Sequence, residues 1–263
     1  MSLVFTAITP HPPVLVPGIG KKEVEKIEQT SRALKKLEED LYIAKPQILI
    51  IISPHGSLFE DAFSVNAHPE FHSHFDQFGD LSTKKTWTGA PHTAAKIAQK
   101  SNPTDLPVRL ISEDKLDHGA SVPLFFLTEH LENLAVLPIG YSSLPKKDHI
   151  EFGEFLKEII MDSDKRVAVI ASGDLSHALK TEAPAGFHKD GEAFDKQLIE
   201  LLESNNTTGI ISMDETLVEN AKQCGYRSLL ILLGIIKDMN FEFKNYSYEA
   251  PFGVGYLVGN FEI

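Results

Sequence analysis

Residues 48–56 read ILIIISPHG: an unbroken aliphatic run, then Ser53-Pro54-His55-Gly56. An apolar run of this length without alternation predicts a strand buried on both faces, as in a parallel sheet covered by helices. The stop in Ser, Pro and Gly marks a loop. His55 is therefore delivered just past the carboxyl end of a buried strand, which is where open α/β sheets bind ligands. The arrangement recurs: LVFTAITPHP (3–12) delivers His11, and VAVIASGDLSH (167–177) delivers His177. Three imidazoles at strand ends can converge on one spot, and imidazole serves both as a metal ligand and as a general base near neutral pH.

Working outward, residues 2–8 predict a first strand, and Pro12, Pro13, Pro17 and Gly18 a rigid loop after it. Residues 21–43 place Val24, Ile27, Leu34, Leu37 and Leu41 at roughly helical spacing among charges, which predicts an amphipathic helix. Strands are expected at 47–53, 106–112, 133–141 and 166–174. Helices are expected over 91–100, from 117 onward, and near 147–162, 189–203, 214–222 and 226–237. FEFKNYSYEA and GVGYLVGNFEI predict two closing strands joined around Pro251-Phe252-Gly253. AFSVNA fits a strand, but HPEFHSHFDQFGD (68–80) has no clean period, so most of 57–90 is expected as loop or short helices near the mouth of the site. Strands alternating with helices imply a single-domain α/β sandwich over 1–263, its central sheet mixed but largely parallel and flanked by helices.

Composition narrows the function classes. The chain has 263 residues, 42% of them hydrophobic, and a formal charge of -12. That charge argues against a general nucleic-acid binder, which needs a basic face. The longest apolar stretch, SLLILLGII, is about half the length of a membrane span. One cysteine, Cys224, cannot form an internal disulfide, and no basic segment precedes the first apolar run. A soluble cytoplasmic protein is the expectation. No Walker loop, GxGxxG, GxSxG or CxxC is present, so nucleotide binding and serine-hydrolase chemistry have no support.

Several residues carry chemistry in this pattern, each with a plainer reading beside it. His55 and His11 suit metal ligation on stiff, proline-flanked backbone; the alternative is a solvated turn histidine. Asp174 and His177 are three apart and would share a face in a helical turn, as a base and its orienter; Asp174 is equally a helix cap. His118, in DHGASVPL, stands at a helix start, where a neutral ring is favoured. Glu249, in SYEAPFGVGYLVG, is an edge glutamate or the oxygen ligand that completes a two-histidine, one-carboxylate set, an arrangement that leaves open positions on non-haem Fe(II). His68, His72 and His74 are read as an exposed loop rather than a second metal site. Cys224 near a helix start is either a thiol of depressed pKa or a packed, inert one. Arg227 binds an anion or pairs with a carboxylate.

TPHPP, ILIIISPHG, DHGASVPL, ASGDLSH and SYEAPFGVGYLVG, in this order, resemble the catalytic B subunit of class III extradiol ring-cleavage dioxygenases and the related Memo-like proteins. The resemblance runs from His11 to Tyr256. It implies a single α/β domain, with His11, His55 and Glu249 as ligands to Fe(II), which zinc can replace in crystals. It makes His177 the acid/base on substrate and His118 a second-sphere histidine touching substrate or oxygen. The implied partners are a small aromatic diol of catechol type and O2, with pairing as a homodimer common in the family. Memo-like proteins carry a cysteine at the position that Glu249 takes here. The rival expectations are a Memo-like metal-binding protein without dioxygenase activity and a zinc-dependent hydrolase.

Overall fold

The computed structural model describes residues 2–102 and 106–263. Its strands are β1 (Leu3–Thr9), β2 (Ile48–Ser53), β3 (Phe63–Asn66), β4 (Glu70–Ser73), β5 (Thr86–Gly89), β6 (Val108–Ile111), β7 (Lys115–Leu116), β8 (Ala135–Gly140), β9 (Val167–Ser172), β10 (Glu242–Glu249) and β11 (Tyr256–Glu262). Its helices are α1 (Pro17–Gly20), α2 (Glu28–Ala44), α3 (Pro91–Ser101), α4 (His118–Leu127), α5 (Lys146–Met161), α6 (Lys189–Glu203), α7 (Thr207–Ile211), α8 (Glu215–Asn220) and α9 (Tyr226–Ile235).

The described strands form one sheet in the order β10-β11-β1-β9-β2-β8-β5-β4-β7, with β3 pairing β8 and β6 pairing β3. Its centre, β1-β9-β2-β8, is parallel. β10 and β11 close one side antiparallel, and antiparallel pairs also occur at β3-β8 and β4-β5. The expected mixed, largely parallel sheet flanked by helices is present.

The aliphatic run of β2 is split between the two faces by the two-residue period of a strand. Ile48, Ile50 and Ile52 pack with Phe152 and Leu156 of α5 and Leu230 of α9. Leu49 and Ile51 pack on the other face, with Leu34, Leu37 and Leu41 of α2 and Leu124 of α4. Each such side chain contributes roughly 1.5–3 kcal/mol when fully buried. Covering both faces is what makes a non-alternating run the right sequence for this strand.

Register then positions the site. Thr9 pairs with Ser172, Ile52 with Ala171, and Ser53 with Gly140. The carboxyl ends of the four central strands are therefore level, and the segments carrying His11, His55 and His177 leave from one edge.

Two expectations need correction. Within 57–90 the strand suggested by AFSVNA is β3 and a short 3-10 turn stands at Asp76–Phe78, but two further strands, β4 and β5, lie where loop or short helices are expected. In β4 Glu70 is exposed, Phe71 buried, His72 half-buried and Ser73 buried. That is a two-residue alternation, too short at four residues to stand out as a period. The 21–43 helix is also two pieces. Lys21–Ile27 is 3-10, and α-helical geometry starts at Glu28 after Ile27 adopts φ -121°, ψ 37° with its side chain fully buried.

α5 and α9 cross glycine on glycine. A Cβ on Gly153 would sit 2.2 Å from the Ile231 carbonyl oxygen, and one on Gly234 would sit 2.3 Å from that of Ile150. Backbone atoms cannot yield as a side-chain tip can. Gly234→Ala is expected to cost about 1–3 kcal/mol in urea unfolding, the usual penalty of overpacking; an unchanged midpoint would show that the helices can separate freely.

Candidate metal centre

His11 follows β1 through Thr9-Pro10 and is 1% exposed. Its backbone N–H donates to Asp174 Oδ1 at 2.9 Å, and its Nδ1 lies 2.9 Å from Ser172 Oγ. His55 follows β2, and its Nε2 stands 3.0 Å from His11 Nε2. His118 opens α4, with Asp117 as the N-cap accepting from the Ala120 N–H at 3.1 Å. The His118 ring stacks on His55, with centroids 4.3 Å apart, and meets His11 edge-on at 5.3 Å.

One ring nitrogen from each of His11, His55 and His118 lies within 4.8 Å of the others. Two nitrogens 3.0 Å apart is the separation expected when both bind one cation through bonds of about 2 Å. The donor set fits a divalent transition metal, because imidazole suits iron and zinc alike.

Burial favours the form that binds. It lowers the pKa of His11 well below the usual histidine range, helped by the neighbouring His55, His118 and His177 rings. His55 is lowered to about 4, first by burial and then by His118, with Asp117 opposing. Burial also lowers His118 and His177. Neutral imidazole is the ligating state. For His177 a backbone hydrogen bond at Lys222 opposes the burial.

Asp174 does not orient His177. Residues 173–176 are not helical, so the three-residue spacing brings no shared face. Its carboxyl instead accepts the His11 N–H. Burial pushes its pKa up to about 7, with that hydrogen bond opposing.

Glu249 is not part of the cluster. Its Oε1 accepts from both the backbone N–H and the Oγ1 hydroxyl of Thr30 at 2.6 Å. Thr30 lies in the first turn of α2, where backbone donors lack helical partners, and Ile27 at the N-cap offers no side-chain acceptor. Glu249 is thus a helix cap supplied from β10. His118 takes the third place among the converging nitrogens.

Cys224 lies nearer the site than the sequence suggests. Its Sγ stands 3.6 Å from His11 Nε2 and accepts from the Asp174 N–H at 3.2 Å. Burial, then Asp174, pushes the thiol up rather than down. Position two residues before α9 is outweighed by loss of water. Arg227 donates to the carbonyl oxygens of Ser142 and Leu144, so it holds a loop rather than an anion. His72 and His74 face Glu70 and Asp76 at 3.4 Å near the surface, with no metal grouping among the described residues.

A cavity of about 510 Å³ opens beside His55 and His118. Asn66, His74, Gln77, Glu113 and Lys115 line it. Asn66 ends β3, Gln77 lies in the 3-10 turn and Lys115 on the two-residue β7, and nothing local in the sequence marks these three, or Glu113, as facing one cavity.

Residues 5–259 match the family described as the catalytic LigB subunit of aromatic ring-opening dioxygenase, and the chain belongs to that family. A Clostridium acetobutylicum protein is 33% identical over all of this chain and 58% of its own length. A MEMO1 family protein of Methanosarcina mazei is 23% identical, covering 81% of this chain and 82% of that one. The 2,3-dihydroxyphenylpropionate/2,3-dihydroxicinnamic acid 1,2-dioxygenase of Photorhabdus laumondii is 24% identical, covering 64% of this chain and 54% of the enzyme. The chain therefore spans less than two-thirds of the first and third of these relatives. The crystal structure of an uncharacterized Escherichia coli K12 protein shares the fold, with a TM-score of 0.66 and 18% identity over 98% of this chain and 99% of that one. No helix among the described residues is long and apolar enough to cross a membrane.

Two outcomes test these assignments. Glu249→Ala removes a cap and should cost about 1 kcal/mol of stability while leaving zinc stoichiometry unchanged; loss of zinc with intact folding would return Glu249 to the ligand set. The lowered histidine pKa values set a pH dependence. The unfolded chain takes up protons near pH 6.5, whereas folded His55 waits until about 4. Stability without metal should then be full above 6.5 and fall as pH drops toward 4; a melting temperature that rises over that interval would contradict the buried, neutral cluster.

Proposed function

We propose that this chain is a non-haem Fe(II)-dependent extradiol dioxygenase that opens a catechol-type ring with O2. The observation that carries the reading is the convergence of His11, His55 and His118 beside a substrate-sized cavity, with His177 next to them. In this reading His11 and His55 hold the metal, and His118 is the third nitrogen of the set. Bound Fe(II) would supply open positions for the two diol oxygens and for O2.

His177 takes a phenolic proton as the diol docks and returns one as the ring opens. Its lowered pKa, set by burial with a backbone hydrogen bond at Lys222 opposing, suits the accepting role. Asp174 fixes the His11 backbone and so works at one remove from the chemistry. The ring bond beside the diol breaks, both atoms of O2 enter the product, and a muconic semialdehyde type of compound leaves. Action in the cytoplasm and pairing as a homodimer belong to this proposal.

Cys224 supports a second reading. A thiol 3.6 Å from His11 Nε2, with Glu249 engaged at Thr30, suits a metal-binding protein of Memo-like kind that oxygenates nothing, although the thiol comes from Cys224 and not from the Glu249 position.

Anaerobic loading with Fe(II), followed by oxygen uptake on a panel of catechols, separates the two. Oxygen consumption with ring-opened product is expected, and His177→Ala should keep iron while slowing turnover roughly 10²–10⁴-fold. Full activity in that variant removes His177 from the chemistry. Metal binding with no oxygen uptake across the panel favours the Memo-like reading.

A further inference from the structure

Two serines end adjacent central strands, Ser53 on β2 and Ser172 on β9. Both are buried, at 2% and 0% exposure. Each joins one histidine-bearing segment to the first turn of α4, which carries His118.

Ser172 Oγ lies 2.5 Å from the Gly119 carbonyl oxygen. A carbonyl cannot donate, so the hydroxyl must. A serine hydroxyl has one proton, and with it committed to Gly119 the same oxygen can only accept from His11 Nδ1, 2.9 Å away. His11 Nδ1 therefore carries the ring proton. Nε2 is left with a bare lone pair, and it is the nitrogen 3.0 Å from His55 Nε2.

Ser53 works in parallel. Its hydroxyl donates to Asp117 Oδ1 at 2.5 Å and accepts from the His55 N–H at 3.3 Å. Asp117 precedes His118 and caps its helix. The joint is tight: a Cβ on Gly119 would meet Ser53 Oγ at 2.5 Å. Only glycine lets the α4 turn come this close to β2.

We propose that Ser172 and Ser53 are positioning residues that set the tautomer of His11 and the spacing of the three imidazoles before any cation arrives. This rests on the reading of the cluster as a cation site but not on oxygenase activity. A hydrogen-bond partner on the far nitrogen of a ligating histidine holds both ring orientation and tautomer. Here a single hydroxyl does this for His11 while also tying down the residue after His118.

The test uses the metal-free full chain, labelled with 15N in histidine, and long-range 1H–15N spectra at neutral pH. His11 is expected as one tautomer, protonated at Nδ1; protonation at Nε2 in the unaltered protein overturns the proposal without any variant. Ser172→Ala should give mixed His11 tautomers and weaken zinc binding about 10–100-fold, read by competition with a chromophoric chelator. Ser53→Ala should weaken zinc while leaving the His11 tautomer as it was. Unchanged tautomer and zinc affinity in folded Ser172→Ala also overturns it. Absent oxygen uptake with zinc binding and tautomer as expected would reject only the dioxygenase assignment.

Discussion

The level register of β1, β9, β2 and β8 is the constraint on which the site depends. A one-residue slip of these parallel strands would exchange the side chains packed on the two helix layers, Ile48, Ile50 and Ile52 on one and Leu49 and Ile51 on the other. Thr9, Ser172 and Ser53 are therefore held at one height. The residues just past the end of each strand must meet at that edge. His11 and His55 come from chain segments 44 residues apart, yet their Nε2 atoms are near neighbours because the sheet leaves them nowhere else to go.

That convergence has an electrostatic consequence. Packing imidazoles together at a dry edge would be costly if they were charged, and burial shifts all of them toward neutrality. The same dryness raises Asp174 and Cys224. The imidazoles at this edge are thus uncharged donors, and a cation is the species that such a set stabilises. Behind it Ser172 engages the far nitrogen of His11, so Nε2 is the nitrogen that faces the other rings.

Much of this was legible in the chain. ILIIISPHG announced both the buried strand and its histidine, and the equivalent punctuation after β1 and β9 located His11 and His177. Less legible was anything that depended on which segment packs against which. Glu249 stood in a suggestive motif, but its partner Thr30 is 219 residues away, and no local pattern marks a cap supplied from a distant strand. The Asp174–His177 spacing suggests a pair, yet the Asp174 carboxyl bonds His11 because residues 173–176 form no helix. Cys224 was invisible as a neighbour of His11 because a residue before a helix carries no signal of which strand end that helix abuts. β4 is hard to read because four residues give too short an alternation.

The central claim is that His11, His55 and His118 share one cation. X-ray absorption at the metal edge of the zinc- or iron-loaded protein measures this directly. A single bound ion per chain is expected, with nitrogen and oxygen neighbours at about 2.0–2.2 Å and the outer-shell scattering of several imidazole rings. A spectrum lacking imidazole scattering, or a protein that retains no stoichiometric metal, would contradict the account.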